Sequence, residues 1–359
     1  MNKINIVIYS TKSDIYYKHD FNKNSYLNLK NDYKKNQSFD LSNHDNLFLS
    51  KLIYDLRKVA NFRSYYEESN KDIDLLIAFN QIPVNILNNA KFKSKKKYLI
   101  IGEPKSVLEK SYKKNYLKNF DKVFTFQENL VDNKKIFFMR LNFTVSENFK
   151  KIKSKKKFLS VMFATYRPYT KRFKFRMKTI SWYNKYNPAN FNLYGMYWYN
   201  ANIDVFKKNL FLKIYSRIIN KIFYLLKITN TSVTKVYKGY SENQILTGSK
   251  YFFQHCYEND INWISSRIFQ CFFSNSVPVY SGYQKITKQI PKNCYLLKSD
   301  FKNNEECDQY LLKLSKDKKR YNKYLKNINN FLKSKKSRKF FIENDIKFLI
   351  NIIKKEFRI

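Results

Sequence analysis

Tyr251-Phe252-Phe253-Gln254-His255-Cys256-Tyr257-Glu258-Asn259-Asp260-Ile261-Asn262-Trp263-Ile264-Ser265-Ser266-Arg267-Ile268-Phe269, closed by Val277-Pro278-Val279-Tyr280-Ser281-Gly282, is the stretch that decides the architecture. It reads as a buried strand over 251–255, a polar loop, a helix over 264–273 and a second apolar strand over 277–280 that ends in a glycine turn. A strand–helix–strand unit of this kind builds a parallel sheet, and such sheets expose their ligand sites just beyond the carboxyl ends of the strands. The polar loop therefore falls where chemistry is expected.

The same alternation extends outward in both directions. Upstream lie a strand at 158–164, a helix at 170–183, a strand at 191–194 closing on Gly195, and a helix-spaced segment at 205–228; a further strand is expected at 294–297. The first half repeats the pattern, with a strand at 4–9, helical spacing at 47–60, a buried strand at 73–79, and strands at 98–101, 123–126 and 136–139. A Lys- and Ser-rich break at 149–157 separates the two series. The expectation is an α/β chain of two Rossmann-like domains facing a cleft, 1–150 and 151–316, with basic C-terminal helices at 317–359. In that tail Phe341, Ile346, Leu349, Ile350, Ile353 and Phe357 recur mostly at three- and four-residue steps. This suits either packing on a domain surface or an in-plane contact with anionic lipid.

Composition narrows the function. The chain has 359 residues and a formal charge of +42, but 43% of its residues are hydrophobic, which supplies a core and excludes a disordered polyelectrolyte. Co-abundant Lys, Asn, Ile, Tyr and Phe also fit a codon bias, so the charge alone does not name a partner. Only 5 Gly are present, and neither dinucleotide nor P-loop glycine signature occurs. Cys256, Cys271, Cys294 and Cys307 form no C-x-x-C pair, and His19, His44 and His255 share no motif, which disfavours structural zinc, a disulfide framework and a His-based centre. Asp72-Ile73-Asp74 reads as a strand-entry pair rather than a metal site. The N-terminal apolar run is too short for a signal segment or a span, so a cytoplasmic chain is expected.

Two further places carry candidate chemistry. Gly102-Glu103-Pro104 follows an apolar strand and sets a carboxylate where a general base or a solvated turn would stand. Thr165-Tyr166-Arg167-Pro168-Tyr169-Thr170-Lys171-Arg172 gathers cations and hydroxyls before a helix, as a diphosphate cradle or a solvated basic turn would.

Together these segments resemble glycosyltransferase family 10, the α-1,3/4-fucosyltransferases. The resemblance runs from about Leu99 to the C-terminus: Gly102-Glu103, Asn119-Phe120-Asp121, Tyr194-Gly195, Tyr237-Lys238-Gly239, the donor-site signature around Tyr257-Glu258-Asn259, and Ile290-Pro291 to Asp300-Phe301. It implies an inverting enzyme of the GT-B fold that moves fucose from GDP-fucose to a cell-surface glycan of the lipopolysaccharide O-chain type. It also implies that Glu103 is the general base and that Arg172, Asn259, Trp263 and Arg267 bind the donor, with no metal or other cofactor required. Trp263 stands where the family has a tyrosine, Arg267 where it has a lysine and Ser266 where it has a glutamate. A different nucleotide sugar, an inactive copy, and a non-enzymatic polyanion or membrane binder remain as alternatives. The expected partners are a nucleotide sugar and a glycan, with peripheral membrane contact at the inner face of the cytoplasmic membrane open and nucleic acid not expected.

Overall fold

The computed structural model describes residues 3–9, 41–65, 72–88, 94–141, 152, 154–168, 172–200 and 210–359. Tyr169-Thr170-Lys171, residues 205–209, His19 and residues 149–151 and 153 of the 149–157 break lie outside the described residues. The chain divides into two compact units. Unit 1 is Met1–Phe149, Asn262–Ser266 and Lys333–Ile359; unit 2 is Lys150–Ile261 and Arg267–Leu332.

Unit 1 contains six parallel strands in the order β2-β1-β3-β4-β5-β6. They are β1 Ile4–Tyr9, β2 Ala60–Ser64, β3 Ile73–Phe79, β4 Ser94–Ile101, β5 Lys122–Thr125 and β6 Ile136–Phe138. Strand side chains alternate between the two faces of a sheet, and here both faces are buried. Ile6, Ile8, Leu75, Ile77, Tyr98 and Ile100 enter one core, while Val7, Tyr9, Leu76, Ala78, Leu99 and Ile101 enter the other. This explains why the central strands read as unbroken apolar runs.

The first of these cores is covered by helix α1 (Leu41–Leu56) and by a helix from the C-terminal end of the chain, Ile342–Phe357. Ile342, Ile346, Leu349, Ile350 and Ile353 of that terminal helix are all buried in it. The apolar face that the sequence offered either to a domain surface or to lipid is thus consumed in the core of unit 1. The expected tail 317–359 is not one separate element, because its first helix, Lys318–Lys333, falls almost wholly in unit 2.

β2 is absent from the sequence reading, which ran a helix to residue 60. Ala60–Ser64 pairs with β1 alone, and an edge strand with one neighbour needs no continuous apolar run to form. Asp72 and Asp74 are engaged at the amino ends of the strands. Asp74 accepts from the Asn5 N–H at 2.8 Å and pairs with Lys95 at 2.6 Å, and the Asp72 carbonyl accepts from the Asn5 side chain.

Unit 2 contains five parallel strands in the order β11-β10-β9-β7-β8. They are β7 Phe158–Phe163, β8 Phe191–Tyr194, β9 Tyr251–Tyr257, β10 Val277–Ser281 and β11 Leu296–Leu297. Among the described residues its helices of seven residues or more are α2 (Phe173–Tyr186), α3 (Leu210–Leu225), α4 (Arg267–Phe273), α5 (Asn304–Lys316) and α6 (Lys318–Lys333); the terminal helix of unit 1 is α7. α2 packs through Phe173, Ile180 and Tyr183 on Met162, Phe191 and Leu193. Gly195 lies at φ +154°, and a Cβ there would stand 1.9 Å from the Ala164 carbonyl oxygen, so the close approach of the β7 and β8 ends requires glycine. α4 begins three residues later than its apolar spacing suggests, because Asn262–Ser266 packs with unit 1. Among the described residues no helix is long and apolar enough to cross a membrane.

Asp345 of α7 fixes the end of the first sheet's chain. Its carboxylate accepts the backbone N–H groups of Leu141 at 2.9 Å and Arg140 at 3.2 Å, and burial raises its pKa to about 6. The unfolded value is about 3.9, so between about pH 4 and 6 the native state holds a proton that the unfolded chain has lost, and stability from this group falls as pH rises. Asp345→Asn is expected to remove a decline of about 2–3 kcal/mol between about pH 4 and 7, read from urea unfolding of both proteins across that range. Parallel pH profiles of wild type and variant would refute it.

Candidate active site

The carboxyl ends of β7, β9 and β10 carry most of the polar groups singled out in the sequence. β9 delivers Tyr257, then Glu258 and Asn259; β10 delivers Ser281 and Gly282; the loop after β7 delivers Arg167 and leads to Arg172, directly before α2. Arg176 follows one helical turn after Arg172, on the same face of α2. Arg267 opens α4.

These residues form one network. Glu258 is 0% exposed, and its Oε2 lies 3.4 Å from Nη1 of Arg267. Nη2 of Arg172 donates to the Ser281 hydroxyl at 2.9 Å, and the Glu258 N–H donates to the Ser281 carbonyl at 2.8 Å. Nη2 of Arg176, which is only 3% exposed, donates to the Tyr257 carbonyl at 2.6 Å. Burial pushes the Arg176 pKa down to about 9; Arg267, Arg167 and Arg172 act on it as like charges, and Glu258 opposes them. Four guanidinium groups therefore share a strand-end site with one wholly buried carboxylate, an excess of positive charge that suits a polyanionic ligand.

Among the described residues, two buried polar atoms in this network lack a protein partner, Nε of Arg172 and Oδ1 of Asn259. One is a donor and the other an acceptor. Gly282 makes room for the carboxylate: a Cβ at Gly282 would stand 2.4 Å from Glu258 Cγ and 2.8 Å from the Tyr280 hydroxyl. The glycine turn that ends the quoted stretch thus holds Glu258 in place, a role the motif alone did not reveal.

Of the sequence candidates, Arg172, Asn259 and Arg267 come together in unit 2, while Glu103 and Trp263 lie in unit 1. Glu103 is half-buried two residues past β4. Its turn is braced: the Tyr112 hydroxyl donates to the Glu103 carbonyl at 2.6 Å, and the Gly102 N–H donates to the Asn80 side chain at 2.9 Å. Trp263 stacks on Phe126 with ring centroids 4.8 Å apart, and its indole N–H donates to the Arg140 carbonyl at 3.3 Å. Ile101 is in register with Thr125, so Phe126 and Glu103 stand at the same rim of that sheet. Arg176, Glu258 and Ser281 are the residues that the candidate set missed. The i, i+4 spacing of Arg172 and Arg176, and a carboxylate directly after an apolar strand, were the available signals.

Comparison with known proteins places this architecture. A family model described as glycosyltransferase family 10 (fucosyltransferase) C-term matches residues 206–346. No curated protein sequence matches the chain. A crystal structure of an alpha1,3-fucosyltransferase with GDP-fucose aligns at a TM-score of 0.55 and 15% identity, over 98% of this chain and 91% of that one. The DNA modifying enzyme beta-glucosyltransferase, solved with and without uridine diphosphoglucose, aligns at a TM-score of 0.58 and 16% identity, over 98% of both chains. The two parallel sheets and these matches define a glycosyltransferase of the GT-B fold. More particularly, the similarity to the family 10 fucosyltransferase C-terminal model lies in residues 206–346.

The network yields a contrast in stability. Glu258→Ala removes the carboxylate that opposes the buried Arg176 and is expected to cost about 3–5 kcal/mol, whereas Ser281→Ala removes one hydrogen bond and should cost about 1 kcal/mol. Urea unfolding of the two variants checks this, and similar losses in both would remove Glu258 from its central place.

Proposed function

We propose that the protein is an inverting fucosyltransferase that moves fucose from GDP-fucose to a hydroxyl of a cell-surface glycan of the lipopolysaccharide O-chain type. The observation that carries this reading is the arginine cluster at the strand ends of unit 2, with Nε of Arg172 and Oδ1 of Asn259 buried and unpartnered beside it. A nucleoside diphosphate supplies both the anionic oxygens and the hydrogen-bonding edges that such a site would take.

In this mechanism the Glu103 carboxylate takes the proton from the acceptor hydroxyl as its oxygen attacks the anomeric carbon. The new carbon–oxygen bond forms on the face opposite the diphosphate, the old one breaks, and GDP leaves with the electron pair, so the configuration inverts. Charge grows on the departing phosphate oxygen, and Arg172 and Arg267, backed by Arg176, stabilise it. Because the guanidinium groups are in place before the bond breaks, little reorganisation accompanies the step. Trp263 is assigned to the donor side, with its ring already set by Phe126. The four cysteines are free and buried, which fits work in the reducing cytoplasm, at the inner face of the membrane.

Ser266 favours one competing reading, transfer of a different sugar, because a hydroxyl stands where the family's carboxylate would help hold the donor. A panel of GDP-, UDP- and CMP-sugars separates the two, and turnover with a non-fucose donor alone selects the second. Glu103→Gln is expected to lower kcat by about 100-fold or more while GDP-fucose still raises Tm. Normal turnover in that variant would displace Glu103 as the base.

A further inference from the structure

Helix α3 (Leu210–Leu225) carries a broad apolar stripe that faces outward. Ile214, Tyr215, Ile218, Ile222, Leu225 and Leu226 are all exposed, the last two by 66% and 65%. At about 100° per residue these six positions fall within an arc of about 120°. Ile219 and Phe223, beyond one edge of that arc, are half-buried. Lys221, which is exposed, lies about 20° beyond its other edge. The helix is firmly closed: Lys227 takes a left-handed φ of 52°, and the N–H groups of Lys227 and Ile228 donate to the carbonyls of Tyr224 and Phe223. The following loop is tied to the one after β8 by Asn230, whose N–H donates to the Trp198 carbonyl at 2.9 Å. That loop also presents Tyr197, which is exposed.

We propose that α3 is a docking helix that lies in the headgroup layer of an anionic bilayer, with its apolar stripe in the acyl boundary and Lys221 against the phosphates. Isolated exposed hydrophobics are ordinary, but a continuous stripe edged by a cation on a strongly basic chain is the pattern of an in-plane membrane helix. Charge selects lipid over a second copy of the chain. The formal charge of +42, with Lys221 at the stripe's edge, repels another copy but attracts anionic headgroups. The amphipathic, basic helices α6 and α7 are not available for this role, because Tyr321, Ile328 and Phe331 of α6 are buried and the apolar face of α7 is buried in unit 1. Since α3 returns to the loop after β8, docking brings the carboxyl-end rim of the unit 2 sheet, where the arginine cluster lies, to the lipid surface. The inference rests on no donor or acceptor.

Flotation of the full chain with phosphatidylcholine vesicles, with or without phosphatidylglycerol, tests it. Wild type is expected to float with the phosphatidylglycerol vesicles. A variant combining Ile218→Asp and Leu225→Asp should lower the bound fraction about tenfold or more, and Lys221→Glu by a few-fold. Unchanged circular dichroism and cooperative thermal unfolding establish that the variants are folded. Equal flotation of wild type and the double variant overturns the proposal. So does a lipid-free, concentration-dependent dimer that the double variant abolishes, which would assign the stripe to a second copy.

Discussion

A carboxylate taken wholly out of water is costly unless cations meet it, and Glu258 is met by more positive charge than it can neutralise. Much of the local structure of unit 2 follows from that imbalance. Gly282 has no side chain because any would strike Glu258, Ser281 bridges to Arg172 through its hydroxyl and to Glu258 through its carbonyl, and Arg176 clamps the Tyr257 carbonyl at the end of β9. The surplus charge stays near the strand ends because Arg172 and Arg176 share one face of α2, whose apolar residues are fixed in the core. A polyanion that reached this site would meet cations already oriented, without the cost of gathering them.

Unit 1 serves a different need. Its sheet is buried on both faces, and one face cannot be closed by the first half of the chain alone: α7 returns from the far end of the sequence to complete it. Asp345 then anchors Arg140 and Leu141 from that returning helix, and the Arg140 carbonyl in turn accepts from Trp263. Asn262–Ser266 of the strand–loop–helix stretch are thereby held by unit 1 rather than by the unit that contains the rest of it. The turn at Glu103 is braced through Asn80 and Tyr112, so the carboxylate proposed as the base stands on a rigid strand end rather than on a free loop.

The legibility of the chain varied with how much each element depends on partners. The central strands were readable because burial on both faces forces unbroken apolar runs, as at Ile73–Phe79 and Ile4–Tyr9. β2 was not, since an edge strand with polar residues resembles a loop. The helix after Trp263 was placed three residues early, because its apolar spacing could not show that Asn262–Ser266 packs elsewhere. Arg172, Asn259 and Arg267 are legible from order and motif, whereas Arg176 is marked only by its i, i+4 spacing from Arg172 on a helix with several other cations.

By itself the sequence determined the α/β class, the two successive parallel sheets and the strand ends that bear charged groups, because periodicity and apolar run length are local properties. Tertiary structure alone decided which apolar helix faces are spent. α7 and α3 are similarly amphipathic and basic, but α7 closes a core while α3 leaves Leu225 and Leu226 in solvent. It also decided that Arg167, Arg172 and Arg267 act on Arg176 as like charges while Glu258 opposes them, since Coulomb interactions depend on distances that only the folded chain sets.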